Sequence, residues 1–370
     1  MKFAISKASF LKELGFVQGV VDRKNTIPIL SNVVVDAKDG EIRLKATDLD
    51  ISVSTSVPAQ VESDGAACLP AKKLFEIVRS LPDAEVVVQA GGGDPARITC
   101  GRSKFKMAST ARENFPDTPD HPAESTKLPG EMLRTFIHRT QFAITTEESR
   151  YALNGAKFEL SDSGARMIAT DGHRLAFIES KMPVTTARKV DVIIPKKSLN
   201  EILKLSSENT SEEDSVEFAS DDNHLFFAVG KRRVSTRLVS GQFPNYDLVL
   251  PKENENKVTV SCADVASAIR RVALMSDERS RLVKFDIQQG EMQVRAQAAD
   301  VGEAGEDVSI EYSGPPILVG FNAQYLVEFF NVIQEGNVFF DFKDGNSQAQ
   351  LRPSVDGGYD FRYVVMPMRL

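Results

Sequence analysis

Part of this sequence recurs nearly three times, and a repeat of that period restricts the architecture more than any single residue does. Residues 29–52 read ILSNVVVDAKDGEIRLKATDLDIS and residues 151–176 read YALNGAKFELSDSGARMIATDGHRLA. Each gives a strand, a turn (Asp39-Gly40, Ser163-Gly164), a second strand, and then Ala-Thr-Asp at Ala46-Thr47-Asp48 and Ala169-Thr170-Asp171, 123 positions apart. LPAKKLFEIVRSL (69–81) then answers IPKKSLNEILKL (194–205), and Asn114-Phe115-Pro116 answers Gln242-Phe243-Pro244. A third copy is fainter. LVKFDIQQGEMQVRAQ (282–297) repeats the hairpin, GFNAQYLVEFFNVI (320–333) falls where the second helix belongs, and Met366-Pro367 closes it. Unrelated pieces would not set these features in one order at near-constant spacing.

The joints agree with that division. PDTPDHPAESTK (116–127) has three prolines and no large apolar residue, and PKENENK (251–257) is a second polar break. Three segments follow: 1–120, 128–250 and 257–370. The acidic run 208–214 reads as a solvated loop. In each segment two helices carry apolar residues at offsets of three and four, as in Phe10, Leu14 and Val17, or Leu326, Phe329, Phe330 and Ile333. The six helices are expected at 7–20, 71–81, 131–141, 195–205, 263–274 and 322–334. Strands such as Ile42-Arg43-Leu44-Lys45-Ala46 alternate apolar and polar side chains, and hairpin-sized turns dominate. The fold class is α+β: repeated domains, each with two helices packed on antiparallel sheets.

The charge is unevenly distributed. The chain has 45 Lys+Arg and 52 Asp+Glu, net −7, which by itself argues against nucleic acid. The helices, however, hold twelve basic and six acidic residues, a net +6, leaving −13 for everything else. A shared helical surface would attract phosphate without regard to base sequence. Three widely separated cysteines, Cys68, Cys100 and Cys262, suit a reducing cytosol and not a disulfide scaffold or zinc site. No apolar run of about 18 residues spans a membrane, and the N-terminus lacks a signal-peptide core. Walker, zincin, nucleophile-elbow and paired-cysteine motifs are absent. Gly91-Gly92-Gly93 reads as a hairpin turn, and the four histidines have no metal-ligand spacing. Asp171, His173 and Ser149 could be drawn as a hydrolase triad, but Thr47-Asp48-Leu49-Asp50 in the first copy makes the position structural in origin. Neither catalysis nor a cofactor is expected. The ending VVMPMRL (364–370) stays apolar almost to the last residue, which suits an adaptable binding surface.

These residues together resemble the bacterial DNA polymerase sliding-clamp family. The ending YVVMPMRL, the segment ATDGHRLA, RYALNG at Arg150–Gly155 and FPNYDLVLP (243–251) carry the resemblance, which covers the whole chain. It implies a head-to-tail homodimer closing a ring of six similar domains, with twelve helices lining a hole for duplex DNA. Twelve helices set about 9–10 Å apart give a circle about 36 Å across their axes. Less about 10 Å of helix thickness, at least roughly 26 Å remains for a duplex. The resemblance implies a groove for short peptide motifs of the replicative polymerase, the clamp loader, other polymerases and mismatch-repair or ligase-type proteins. Its residues would be Leu153, Thr170, Gly172, His173, Arg174, Leu175, Pro244, Val249, Val364 and Met366, with Arg150, Pro367 and Met368 as a neighbouring subsite. DNA contacts carry over to Lys24 and Tyr151, and the helix charge adds Lys196 and Lys197. The dimer contact would set Phe105 and Met107 against Leu274 and Met275, with Lys73 paired to Glu303 or Glu306. Ala152 and Glu147 depart from the family's usual tyrosine and amide. Two other classes are weighed beside the clamp: a peptide-binding adaptor that does not encircle DNA, and a DNA-modifying enzyme, which would need an acidic or metal cluster.

Overall fold

The computed structural model describes residues 1–21, 27–91, 94–147, 149–184, 186, 189–207, 214–355 and 357–370. The six helices stand close to their expected places: α1 (Lys7–Val17), α2 (Ala71–Ser80), α3 (Gly130–Thr140), α4 (Lys196–Ser207), α5 (Cys262–Val272) and α6 (Ala323–Ile333). Short polar side chains start three of them. Ser6 accepts the Ser9 N–H ahead of α1, Ser261 the Asp264 N–H ahead of α5, and Asn322 the Gln324 N–H ahead of α6. The apolar stripes are buried as the spacing requires, for example Leu74 and Val78 on α2 and Leu326, Phe329 and Phe330 on α6. Leu11, Ile77, Leu203 and Ile333, at the margins of their stripes, are only half-buried.

The described strands form four sheets, all with antiparallel neighbours. Two compact units emerge: residues 1–134 with 197–238, and residues 135–196 with 239–370. They do not follow the three sequence segments, because strands of the middle segment are divided between two eight-stranded sheets. In the first unit, Arg232–Arg237 of the middle segment pairs with Ile51–Pro58 of the first. In the second, Arg174–Ser180 of the middle segment pairs with Asp360–Val365 of the third. Each unit also has a smaller sheet, of five and four strands respectively. Ser103–Met107 lies at an edge of the five-stranded sheet, and Gly302–Ser309 at an edge of the four-stranded one.

In the first unit α1 packs beside α2, and in the second α5 packs beside α6. The second core is rich in rings: Phe329 stacks on Tyr363 at 5.1 Å and on Phe361 at 5.9 Å. The three cysteines are buried and free, and burial raises the thiol pKa of Cys68 and Cys262.

Candidate functional site

The second Ala-Thr-Asp fixes a tight turn. Thr170 Oγ1 donates to the Arg174 carbonyl (2.6 Å) and accepts the Gly172 N–H (3.1 Å). Asp171 Oδ1 accepts the N–H groups of His173 (3.0 Å) and Arg174 (3.1 Å). Gly172 has φ +89°, a left-handed conformation open to glycine at little cost. The Met366 N–H donates to the His173 carbonyl at 2.9 Å, so the chain's last strand is tied to the turn.

Arg174 is the buried anchor of this turn, with 7% exposure. Its Nε donates to Asp171 Oδ2 (3.0 Å), Nη1 to Glu328 on α6, and Nη2 to the Phe142 carbonyl (2.7 Å). The guanidinium lies 4.4 Å from the Tyr325 ring centroid. Burial penalises its charge, but Tyr363 and Glu328 outweigh that penalty and raise its pKa. Tyr363, fully buried, donates its hydroxyl to the Tyr325 carbonyl at 2.9 Å, and burial pushes its phenol pKa up. The His173 ring stacks on Tyr325, 6.4 Å between centroids, and the carboxylate of Asp171 is committed to the turn and Arg174. The imagined Asp171–His173–Ser149 triad is thus replaced by a structural turn.

A cavity of about 110 Å³ opens beside this anchor. That is somewhat less than the roughly 150 Å³ that accommodates benzene in an engineered apolar core, so it takes about one large apolar side chain. Leu153, Thr170, Gly172, His173, Arg174, Leu175, Pro244, Val249, Val364 and Met366 all line it. The expected groove is therefore brought together from four separate stretches of chain. Two further lining residues, Phe243 and Tyr246, escaped the sequence reading. Their signal was present, since Phe243, Tyr246 and Val249 recur every third residue; Tyr246–Leu248 is a short 3-10 turn, and all three residues line the cavity. The Tyr246 hydroxyl donates to Glu159 (3.1 Å), and burial, with Glu159, raises its pKa.

Arg150, Pro367 and Met368 are not among the residues lining the cavity. Arg150 donates to the Asp171 carbonyl (2.9 Å) and pairs with Glu147 (3.0 Å), while the Met368 N–H donates to the Gly320 carbonyl (2.8 Å). Ala152 and Leu153 pack against the buried cluster beneath the cavity.

The other expected sites fall as follows. Tyr151 is 73% exposed, and Lys24 lies outside the described residues. Lys197 pairs with Asp48 and also donates to the Val20 carbonyl at 3.2 Å, so its charge is balanced within the first unit. Lys196 has no carboxylate partner among the described residues. Several other helix cations are likewise paired: Lys73 with Glu76, Arg134 with Asp214, Lys204 with Glu201 and Arg271 with Glu306. Within one chain, then, Lys73 and Glu306 already have local partners. Leu274 is 79% exposed and Phe105 half-buried; Met275 is half-buried, Met107 is buried in its own sheet, and Glu303 is exposed. Among the described residues no group of three or more His, Cys, Asp or Glu could hold a metal, and no helix is long and apolar enough to cross a membrane.

Repeated two-helix segments on antiparallel sheets, joined through shared eight-stranded sheets, define a DNA clamp by class. Models of the N-terminal, central and C-terminal domains of the DNA polymerase III beta subunit match residues 1–119, 127–245 and 247–369 in turn. The beta sliding clamp of Caulobacter vibrioides is 36% identical over 377 residues, covering all of both chains. That of Pseudomonas putida is 32% identical over 372 residues with the same coverage. Among solved structures, the Caulobacter crescentus beta sliding clamp crystallised with polyethylene glycol matches at a TM-score of 0.94 and 34% identity, covering 100% of this chain and 99% of that one. The Bartonella birtlesii sliding clamp bound to griselimycin matches at 0.94 and 34%, covering 100% of both. The chain belongs to the DNA polymerase III beta subunit family, the bacterial beta sliding clamps. Its function is that of a non-catalytic DNA clamp of the polymerase III holoenzyme, and the reading as an adaptor without DNA is set aside.

Proposed function

We propose that two copies of this chain close head to tail into a ring around duplex DNA and slide along it, holding the replicative polymerase by a peptide seated at the Thr170–Met366 cavity. Three domains per chain, 1–120, 128–250 and 257–370, make the six-part ring. Among the described residues the strands Ser103–Met107 and Gly302–Ser309 each end a sheet, the kind of edge that another chain completes. Phe105 of one copy and Leu274 with Met275 of the other would seal that seam. Met107 supports it from beneath, and Lys73 would exchange Glu76 for Glu303 or Glu306 of its neighbour.

Lys24, Tyr151, Lys196 and Lys197 face the duplex in this reading. Because several helix cations are already paired, the attraction to phosphate is weak, as free sliding requires. The observation that carries the peptide reading is the convergence of turn, linker and chain end on one mostly apolar cavity with a polar rim. Clamp loader, other polymerases and repair proteins would compete for it, with Arg150, Pro367 and Met368 extending the surface. The setting is the cytoplasm.

Retention on DNA tests the ring. Once loaded onto a nicked circle, the protein stays, and it is lost when the circle is cut to a linear duplex. Equal retention on both would defeat encirclement. For the groove, Met366→Glu should weaken a fluorescent apolar pentapeptide by about tenfold, or about 1.4 kcal/mol, in a polarisation titration.

A further inference from the structure

The first unit has a counterpart of the peptide cavity, and its chemistry is reversed. The backbone registers coincide at the two junctions. Thr47 faces Ser52 as Thr170 faces Leu175, and Ser52 faces Ser235 as Leu175 faces Val364. Lys45 opposite Ser54 stands where Ile168 opposes Phe177. The linkers correspond as well, with Phe115 buried in the first unit as Phe243 is in the second. Thr118 and His121 follow Phe115 at the offsets by which Tyr246 and Val249 follow Phe243. At the positions that make the second junction apolar, the first therefore carries Lys45, Ser52, Ser54 and Ser235.

This exchange leaves an opening. A cavity of about 420 Å³ lies between the linker at 118–121 and the sheet, nearly four times the 110 Å³ of its counterpart. Its lining includes Lys45 and Arg233, both half-buried, and the one acid among the lining residues is Asp120, exposed in the linker. Arg233 donates to the Gly230 carbonyl at 3.2 Å. Among the described residues neither cation is paired with a carboxylate. The contrast with Lys197, Lys204 and Arg232 of the same unit, each paired with an acid, is direct. Two half-buried cations without a carboxylate, beside the hydroxyls of Ser52, Ser54 and Ser235, suit a carboxylate-bearing ligand, since charge-assisted hydrogen bonds would supply the counter-charge.

We propose that this cavity is a second docking site, for an acidic, serine-rich extended peptide segment of a partner protein, with its carboxylates on Lys45 and Arg233 and its polar groups on Ser54 and Ser235. The cavity is bounded by the linker on one side and the sheet on the other, which fits a single extended chain. Asp120 at its edge and two cations alone are poor provision for the closely spaced phosphates of a duplex. The inference borrows the peptide character of the site from the reading of the second junction, but it stands on its own residues and is tested apart from it.

The probe is a fluorescein-labelled Gly-Asp-Ser-Asp-Asp-Gly peptide, titrated with the full-length protein by fluorescence polarisation. Saturable binding is expected. It should weaken as salt is raised to about 0.5 M, because part of the attraction is between partly exposed charges. Lys45→Glu with Arg233→Glu should lower affinity at least tenfold. Lys45→Gln with Arg233→Gln, which reverses no charge, should lower it by a smaller factor in the same direction, and thermal melting of both pairs checks that they fold. An excess of unlabelled Leu-Phe-Leu-Phe peptide, the apolar competitor proposed to seat at the other cavity, should not displace the probe. No binding up to about 1 mM, equal binding by the charge-reversed protein, or displacement by the apolar peptide each overturns the proposal. Failure of the apolar peptide to bind anywhere counts against the second-unit groove alone.

Discussion

The turns Thr47–Ile51 and Thr170–Arg174 make the same hydrogen bonds for different ends. Thr47 Oγ1 donates to the Ile51 carbonyl at 2.8 Å, and Asp48 Oδ1 accepts the N–H of Asp50 at 3.0 Å and of Ile51 at 2.7 Å, as Thr170 and Asp171 do in the other turn. The third position is left-handed in both, Leu49 at φ +81° and Gly172 at +89°. What differs is the use of the aspartate's second oxygen. Asp48 gives it to Lys197, whose side chain is 36% exposed, whereas Asp171 gives it to Arg174, whose side chain is 7% exposed and reaches on to Glu328. The repeat thus supplies a backbone frame, and the side chain at the fifth position decides what it becomes: an apolar Ile51 leaves a plain corner, and a buried Arg174 ties the corner to α6.

The largest break in this comparison is Arg174→Ala. Removing one partner of a buried, hydrogen-bonded ion network leaves Glu328 and Asp171 short of their cation, and a cost of about 3 kcal/mol is expected. Urea unfolding of the full chain should show it, with the fluorescent apolar pentapeptide losing affinity as the turn loosens. A cost below about 1 kcal/mol would mean that Arg174 acts as an ordinary surface ion pair. Tyr363→Phe removes one buried hydroxyl donor to the Tyr325 carbonyl and should cost about 1–2 kcal/mol in the same assay.

The pattern of residues disclosed some of this and hid the rest, for physical reasons. The helices were legible because their apolar offsets are local, and the turn was legible because Ala-Thr-Asp recurs. The division of the middle segment between two sheets was not, since the pairing of Arg174–Ser180 with Asp360–Val365 joins positions far apart in sequence. How far the helix charge is compensated was hidden for the same cause: nothing near Lys197 in sequence announces Asp48. α6 carries no basic residue at all. Its one acid, Glu328, is instead the partner of Arg174, and its Tyr325 is the surface on which both Arg174 and His173 lie. Most groove residues came through the family resemblance, which names Pro244 and Val249 of the 243–249 stretch but not Phe243 and Tyr246, the two rings buried beside them.

A smaller test exchanges the third residues of the two turns. Gly172→Ala places a side chain in a left-handed conformation, with its Cβ 3.1 Å from Arg150 Nη1, and should cost about 1–2 kcal/mol. Leu49→Gly relieves the same strain, offset by about 0.5–1 kcal/mol of added chain entropy, so it should be neutral or slightly stabilising. In thermal melts the first substitution should destabilise and the second should not. Destabilisation by both would mean that the two corners are held by different forces despite their matching bonds.

The smallest effect belongs to the first corner's ion pair. Asp48→Asn keeps an oxygen for the Asp50 and Ile51 N–H groups while removing the charge opposite Lys197. Because that lysine is partly exposed and also has the Val20 carbonyl, the loss should stay below about 1 kcal/mol and shrink further in high salt. Asp171→Asn makes the same chemical change where the partner is buried, and its cost should be larger and insensitive to salt. If the two substitutions respond to salt alike, the burial of Arg174 is not what separates the corners, and the contrast reduces to the identity of the fifth residue alone.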